Sequence, residues 1–392
     1  MAALDTIRSW HDELTAIRRD FHTHPEIGFT EHRTAGIVAD KLRSWGIEVH
    51  EGVGGTGVVG VLARGNGAVS VGLRADMDAL PIHEETGAAY ASATPGMMHA
   101  CGHDGHTTML LGAARYLATE GRFNGTVNFI FQPAEEGLGG AQAMLRDGLL
   151  SRFPCTHVYG MHNRPGLPVG QFAIRPGAMM AGGAFFDITV NGRGAHGAIP
   201  EASIDPLLTA CHITTALQSI VARNVPPADT AVLSVTAIAA GDAYNVIPQS
   251  ALIRGTARTM KRATMELLEA NMKRVAAGVA AAFGASADVD FRFLFAPLVN
   301  DAERTAAIAD AAAAVVGEAK VERHGPSVMA SEDFSFMMEA VAGAYINIGN
   351  GDTVGSCQVH NPGYDFNDAA APYGSAMFAE LVERQLPQGA AQ

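Results

Sequence analysis

Residues 125–137 are Gly-Thr-Val-Asn-Phe-Ile-Phe-Gln-Pro-Ala-Glu-Glu-Gly, an apolar run that ends in a pair of acids. The run at 127–132 is short and rich in β-branched and aromatic residues, which predicts a buried strand. Four similar runs, separated by stretches with helical spacing, occupy residues 58–63, 69–75, 158–161 and 344–348. Buried strands that alternate with helices predict an α/β fold. Helices are predicted at 4–21, 32–45, 107–119, 141–149 and 367–385.

Residues 182–295 follow a different pattern, because their predicted strands alternate between apolar and polar side chains. Three such strands, at 185–190, 231–238 and 251–257, accompany two long helices at 206–223 and 264–283. The β-α-β-β-α-β order is typical of a small α+β, ferredoxin-like domain. Since residue 344 returns to the first pattern, we expect this domain to interrupt a larger mixed-sheet domain with helices on both faces, formed by residues 1–181 and 296–392.

Composition excludes several classes of protein. The formal net charge of −13, without a cluster of Lys and Arg, argues against a nucleic-acid partner. The first twenty residues lack the continuous apolar stretch of a signal peptide, and no apolar run is long enough to span a bilayer. The four cysteines show no disulfide-scaffold spacing. We therefore expect a cytoplasmic protein with no membrane partner.

Potential metal ligands are concentrated in Met98-His-Ala-Cys-Gly-His-Asp-Gly-His106. Cys101 and His103, in a predicted loop before the helix at 107, could both turn toward one ion. Thiolate and imidazole suit zinc, cobalt or nickel and, less well, manganese. Asp104 and His106 are placed to be hydrogen-bond partners of such ligands. The alternative is a polar helix cap with surface histidines.

The adjacent acids Glu135 and Glu136 follow a predicted buried strand, where two carboxylates are costly together unless a cation lies between them. One can bind a metal while the other accepts a proton from the water that the metal activates. His162 and His360 each follow another predicted strand. Because open α/β sheets bind ligands at the carboxyl ends of their strands, we expect these motifs to converge. Asp76 and Asp78 also follow a strand, and could be ligands, hydrogen-bond acceptors or turn formers.

These motifs resemble the M20 family of metallopeptidases, specifically its aminoacylase and hippurate hydrolase branch of M20D-type amidohydrolases. The resemblance runs from the His22-Thr-His-Pro-Glu motif to His360 and includes Gly72-Leu-Arg-Ala-Asp-Met-Asp-Ala-Leu-Pro-Ile, Gln132-Pro-Ala-Glu-Glu-Gly, Gly192-Arg-Gly-Ala-His-Gly-Ala-Ile-Pro and Asn245-Val-Ile-Pro. It implies cleavage of N-acyl amino acids, of the hippurate or N-acetyl type, into a carboxylic acid and a free amino acid. Dipeptidases, aminopeptidases and N-acetyl-diaminopimelate-type deacetylases of the same clan are the alternative.

The resemblance also implies two divalent metal ions per subunit, zinc, manganese, cobalt or nickel. Cys101 would bridge them, and four residues would complete the ligand set: His103, Glu136, His162 and His360. In the wider clan the bridge is an aspartate, and a His-x-Asp motif supplies another ligand. Here that motif is Asp76-Met-Asp78, so both aspartates are left out of the expected ligand set.

The remaining roles come from the resemblance as well. Glu135 would be the general base, and His196 would stabilise the oxyanion. Asn245 and Arg258 would bind the substrate carboxylate, with Arg254 as a competitor on the same strand. Residues 182–295 would form a lid and dimerisation domain, hinged near 179–183 and 295–297, in a homodimer or homotetramer.

Two rival interpretations come from other classes of protein. A cysteine hydrolase would use Cys101 as nucleophile with His103 or His106 as base, and thiol alkylation would then abolish activity regardless of metal. This rival leaves the positions of Glu135, His162 and His360 unexplained. A metal-binding scaffold without catalysis is the second rival, but a structural site does not need the extra acid Glu135.

Overall fold

The computed structural model describes residues 2–351 and 357–388. In chain order, the strands are β1 Glu48–Val53, β2 Gly57–Arg64, β3 Ser70–Asp76, β4 Gly125–Gln132, β5 His157–Pro165, β6 Phe172–Ala173, β7 Gly177–Met180, β8 Gly182–Asn191, β9 Ala195–His196, β10 Ala231–Ala239, β11 Val246–Ile247, β12 Ser250–Thr259, β13 Ser286–Phe295, β14 Leu298–Asn300, β15 Val321–Glu322 and β16 Gly343–Gly351. The helices are α1 Ala2–Arg8, α2 His11–Thr23, α3 His32–Ser44, α4 His103–Thr119, α5 Gly140–Arg146, α6 Leu149–Arg152, α7 Pro206–Arg223, α8 Arg262–Ala282, α9 Ala302–Val316, α10 Ser335–Ala340 and α11 Ala371–Gln385.

Backbone contacts divide the chain into two compact units. The larger unit contains the chain up to Gly177, Val299–Pro326, and the chain from Asp333 onward. The smaller unit contains Ala178–Leu298 and Ser327–Glu332. Each unit has a hydrophobic core of its own.

The larger unit is built on an eight-stranded mixed sheet in the order β1-β2-β4-β3-β5-β16-β6-β15. Strand β3 is parallel to β4 and β5, and β16 is parallel to β5, whereas β2 pairs with β4 in antiparallel orientation. Six consecutive residues of β4, from Val127 to Gln132, are buried, as the continuous apolar run predicts. Helices α3, α4 and α9 pack against this sheet. The predicted α/β class and large mixed sheet are confirmed.

The smaller unit has a four-stranded antiparallel sheet in the order β10-β12-β8-β13. Alternate residues of β8 are buried, from Ala184 to Val190, while Phe185 is exposed on the other face. The buried face packs with apolar residues of α7 and α8 in one core. Helix α7 begins after Asp205, whose carboxylate accepts hydrogen bonds from the N–H groups of Leu207 and Leu208.

Several predicted boundaries differ from the structure, and three of them bear on the site or on the first helix. The single helix expected at 4–21 is interrupted at Ser9 and Trp10, where the Ser9 hydroxyl donates to the carbonyl of Thr6 and competes with the helical hydrogen bonds. Strand β5 continues to Pro165, so His162 lies within the strand and opposite Asn347 of β16. Helix α4 begins at His103 rather than near residue 107.

Among the described residues, no helix is both long and apolar enough to cross a membrane.

Candidate metal centre

The predicted ligands converge at the carboxyl-terminal edge of the large sheet. Helix α4 contributes His103 from its first residue, β5 contributes His162, and Glu136 follows the end of β4. His360 comes from the chain that follows β16, and its N–H donates to the carbonyl of Ala100 at 2.7 Å. That bond attaches the His360 segment to the residue beside Cys101, so positions far apart in sequence meet.

The first group of potential ligands is Cys101, His103 and His162, whose ligand atoms all lie within 4.8 Å of one another. The Sγ atom of Cys101 is 3.4 Å from Nε2 of His162. The Nδ1–H of His162 donates to the carbonyl of Asn163 at 2.6 Å, which directs Nε2 toward Cys101. Burial, with a contribution from His106, lowers the pKa of His162 to about 3. His162 is therefore a neutral imidazole, the form that binds a metal.

The second group is Cys101, Glu136 and His360, again with ligand atoms within 4.8 Å of one another. Nε2 of His360 lies 3.1 Å from Oε1 of Glu136, without the alignment of a hydrogen bond. His360 has a positive φ of 65°, which is uncommon for a residue with a side chain. Cys101 belongs to both groups, so its thiol is the common member of two adjoining ligand sets.

Several features of these donors fit divalent cations. Nε2 of His103 and Oε1 of Glu136 are buried without a hydrogen-bond partner, which is costly unless a cation binds them. Burial lowers the pKa of His103, but Asp76 and Asp78 outweigh it and raise the pKa to about 10, so this position favours positive charge. Burial and the neighbouring Glu136 raise the pKa of the Cys101 thiol well above its ordinary value. A thiolate among carboxylates requires a nearby cation, and the donor set fits metal ions.

Asp76 and Asp78 orient other members of the site. One oxygen of Asp78 is 3.2 Å from Nδ1 of His103, and the other accepts a hydrogen bond from the N–H of Glu136 at 3.0 Å. Asp76 lies 2.6 Å from Nδ1 of His106 and accepts a hydrogen bond from Arg74 at 2.7 Å. Both aspartates, for which sequence left three roles open, accept hydrogen bonds in the structure, and Asp76 also belongs to a group of potential ligands with His103 and His106.

Glu135 lies beside the ligands rather than away from them. Its carboxylate, Glu136 and His103 have oxygen or nitrogen atoms within 4.8 Å of one another. Only 7% of Glu135 is exposed, and its Oε1 accepts a hydrogen bond from the N–H of Asp333 at 3.3 Å. The arrangement places an oriented carboxylate next to the candidate metal ligands, as general-base chemistry requires.

The predicted oxyanion-stabilising residue and the two predicted substrate-binding residues belong to the smaller unit. His196 on β9 pairs in register with Val246 on β11, and the N–H of Gly197 donates to the carbonyl of Asn245 at 2.7 Å. The structure therefore places His196 and Asn245 close together, and both residues are exposed. Arg258 lies in a different sheet, on β12.

Arg258 is half-buried, and its Nη1 donates to the hydroxyl of Ser331 at 3.3 Å. A Cβ atom on Gly183 would lie 1.8 Å from this nitrogen, so the glycine makes room for the guanidinium. Burial lowers the pKa of Arg258. Its competitor Arg254 is exposed and lies opposite Asp187 in the sheet register.

Sequence reasoning missed a buried charge network behind the ligand-bearing segment. Arg18 is fully buried and donates to Asp365 at 2.9 Å and to Asp368 at 2.6 Å. Nδ1 of His22 lies 2.8 Å from Asp104, the neighbour of His103. Arg18 lies in a helix with many charged residues, so no sequence signal distinguished it from a surface arginine.

Known proteins resemble this chain over most of its length. The sequence matches the Peptidase family M20/M25/M40 over residues 72–384. It is 42% identical over 386 residues to hippurate hydrolase of Campylobacter jejuni, covering 98% of this chain and 100% of the relative. It is 38% identical over 378 residues to N-acetylcysteine deacetylase of Bacillus subtilis, covering 96% and 97% of the two chains.

A solved structure gives the same result. A Bacillus subtilis protein described as a dinuclear metal binding peptidase from the M20 family has a TM-score of 0.84 and 34% sequence identity, with 97% of this chain and 99% of that chain covered. The family predicted from the motifs is confirmed: this chain belongs to peptidase family M20/M25/M40.

Proposed function

We propose that this protein is a metal-dependent amidohydrolase that cleaves N-acyl amino acids into a carboxylic acid and a free amino acid. The observation that carries the proposal is the pair of ligand groups that share Cys101, with the carboxylate of Glu135 beside them. The similarity to a hippurate hydrolase and to an N-acetylcysteine deacetylase supports an N-acyl amino acid as substrate.

Two divalent ions are proposed, drawn from zinc, manganese, cobalt and nickel. Cys101, His103 and His162 would hold one ion, and Cys101, Glu136 and His360 would hold the other. When bound, such ions polarise an amide carbonyl and make a water molecule more acidic. Asp78 maintains the geometry by accepting hydrogen bonds from His103 and from the backbone of Glu136.

Glu135 moves the proton in this proposal. Its carboxylate takes a proton from the attacking water and delivers it to the amide nitrogen that leaves as the amine. The N–H of Asp333 fixes one carboxylate oxygen, so the side chain loses little freedom when the reaction begins. Because Glu135 is buried, such an oriented base is more effective than one free in solvent.

His196, Asn245 and Arg258 are assigned to the substrate. The Nδ1 atom of His196 accepts from the N–H of Ala198 at 3.1 Å, which leaves Nε2 as the protonated nitrogen that can donate to an oxyanion. The guanidinium of Arg258 bonds to a neutral hydroxyl, so that bond leaves its charge able to pair with a carboxylate. Asn245 supplies a second donor.

A homodimer or homotetramer is also proposed, with residues 182–295 as the lid and dimerisation domain. Apolar side chains of the smaller unit support it: Leu208 is 49% exposed and Val246 is 54% exposed. Light scattering of the purified protein measures the assembly, and a monomer mass would contradict this part of the proposal.

The substrate assignment is tested with hippurate, N-acetyl amino acids and hippuryl amide, which lacks the carboxylate. We expect the acids to be hydrolysed. The amide should have a KM about tenfold higher or more, which corresponds to the free energy of one charge-assisted hydrogen bond. Arg258→Ala should raise KM for hippurate by a similar factor and leave KM for the amide unchanged. Arg254→Ala is the matched control and should leave both values unchanged; an effect at Arg254 instead would reassign the carboxylate contact.

A further inference from the structure

The loop that carries both acids has an unusual backbone conformation. Ala134, directly before Glu135, has a positive φ of 52°. For a residue with a Cβ atom, the left-handed conformation costs about 1–2 kcal/mol. Because the chain direction at residue 134 sets where the next two side chains point, the positions of Glu135 and Glu136 depend on a conformation that alanine does not prefer.

Glu31 supplies a contact that stabilises this conformation. Its side chain is fully buried, and Oε1 accepts a hydrogen bond from the N–H of Ala134 at 2.8 Å. The other carboxylate oxygen accepts a hydrogen bond from the hydroxyl of Thr56. Hydrogen bonds to a charged acceptor are about twice as strong as neutral ones. Burial raises the pKa of Glu31 to about 7, so the carboxylate is costly to keep in this position.

Packing on the other sides of Ala134 leaves the loop little room for another backbone conformation. A Cβ atom on Gly28 would lie 2.9 Å from Cα of Ala134, so the segment before Glu31 lies directly against the loop. The N–H of Gly140 donates to the carbonyl of Ala134 at 3.0 Å. Both backbone polar groups of Ala134 are therefore paired, and the acceptor for its N–H comes from a remote side chain.

We propose that Glu31 is a positioning residue, which holds Ala134 in the left-handed conformation and thereby places Glu135 for proton transfer. This inference rests on the proposed function of Glu135. Glu31 acts through the backbone of Ala134 and through the loop that follows it. A misplacement of about 1 Å in a catalytic group can lower the rate by about a hundredfold.

Glu31→Gln and Glu31→Asp separate this role from a need for negative charge. Glutamine keeps an oxygen acceptor at the length that reaches the N–H of Ala134, while its amide can donate to Thr56. Aspartate keeps the charge, but its side chain is shorter by one methylene group, so its carboxylate lies farther from the N–H of Ala134. We expect kcat of Glu31→Gln within about threefold of wild type, and kcat of Glu31→Asp lower by about tenfold to a hundredfold with KM little changed.

A second substitution at residue 134 tests the connection directly. Glycine adopts positive φ without the alanine penalty, so Glu31→Asp combined with Ala134→Gly should recover part of the lost kcat. Crystal structures should show residue 134 outside the left-handed region in Glu31→Asp and inside it in the double variant. Thr56→Val is the matched control, because it removes the other hydrogen bond of Glu31 and should lower the melting temperature while leaving kcat unchanged.

The proposal is overturned if Glu31→Asp retains wild-type kcat, if Glu31→Gln loses as much as Glu31→Asp, or if glycine at residue 134 restores nothing. Absence of N-acyl amino acid hydrolysis by the wild-type protein would instead remove the proposed function. In that case the φ of residue 134 in the Glu31→Asp crystal still decides whether Glu31 holds the loop.

Discussion

Buried charges behind the metal centre show how single residues support it. Arg18 is fully buried, and such a guanidinium is tolerated only when acids neutralise it. Its partner Asp365 lies five positions after His360, and Asp104, 3.6 Å away, follows His103. Arg18 therefore connects the segments that carry two proposed ligands. Removal of Arg18 would take one counter-charge from the buried Asp104 and from the partly buried Asp365 and Asp368, at a cost of about 3–5 kcal/mol.

His22, in the same network, gives a prediction about pH. Burial lowers its pKa, but the contacts with Asp104 and Glu84 outweigh that effect and raise the pKa to about 9, from 6.5. Because the folded state binds this proton more tightly, the resulting stability is fully present below pH 6.5 and is lost as pH rises through 9. The shift corresponds to about 3 kcal/mol.

We therefore expect His22→Asn to lower the urea midpoint of unfolding most strongly at pH 6 and much less at pH 9.5. The exposed His32 provides the control, since His32→Asn should have the same small effect at both values. A His22→Asn effect that does not change between pH 6 and pH 9.5 would contradict the assignment.

At the residue scale, the types and positions of the donors could be predicted, because Cys101, His103 and Glu136 stand in dense motifs. The buried residues that support these donors could not be predicted from the sequence. In the sequence, Glu31 and Arg18 cannot be distinguished from charged residues on the protein surface. Only the tertiary packing shows that they are buried.

Helix α4 shows how an element controls the site. Gly102, at the N-cap, has a φ of 93°, and a Cβ atom there would lie 2.3 Å from Nδ2 of Asn163. Glycine adopts this left-handed conformation without strain, so the chain can turn directly after Cys101 and begin the helix at His103. The first turn then packs against Phe366, because a Cβ atom on Gly105 would lie 2.3 Å from its ring.

Gly105→Ala should therefore destabilise the protein by about 1–3 kcal/mol, since a buried ring must move to admit the methyl group. Gly36→Ala in α3 is the matched control: a Cβ atom there meets nothing within 4 Å, and alanine should stabilise the helix by about 0.5–1 kcal/mol. Thermal unfolding of both variants measures the difference. Equal melting temperatures would show that α4 is not packed as described.

Elements were predicted best where one local signal determines them. Strands β3, β4 and β16 are largely apolar and buried, and each was predicted to within two residues at its start and three at its end. The predicted start of α4 was four residues too late, because the polar residues His103, Asp104 and His106 were interpreted as part of a loop. Only the contacts of Gly102 and Gly105 explain why the helix begins there.

At the scale of the whole molecule, all five proposed ligands belong to the larger unit, although the smaller unit separates His162 from His360 in the sequence. A change in periodicity indicated the interruption. The segment Ser327–Glu332, grouped with the smaller unit, has no such signal. It is held by backbone hydrogen bonds, such as those from Ala181 to Val328 and Ala330, and irregular backbone pairing leaves no pattern in the side chains.

The metal content of Glu135→Gln, measured together with its rate of hippurate hydrolysis, separates a metal-dependent hydrolase from a cysteine hydrolase. We expect two divalent ions per chain in both wild type and variant, and a kcat at least a hundredfold lower in the variant, because the ligands remain while the base is lost. In the wild type, chelation should abolish hydrolysis and divalent ions should restore it. Chelation-resistant hydrolysis that a thiol-alkylating reagent blocks would contradict metal-dependent catalysis and make Cys101 the nucleophile.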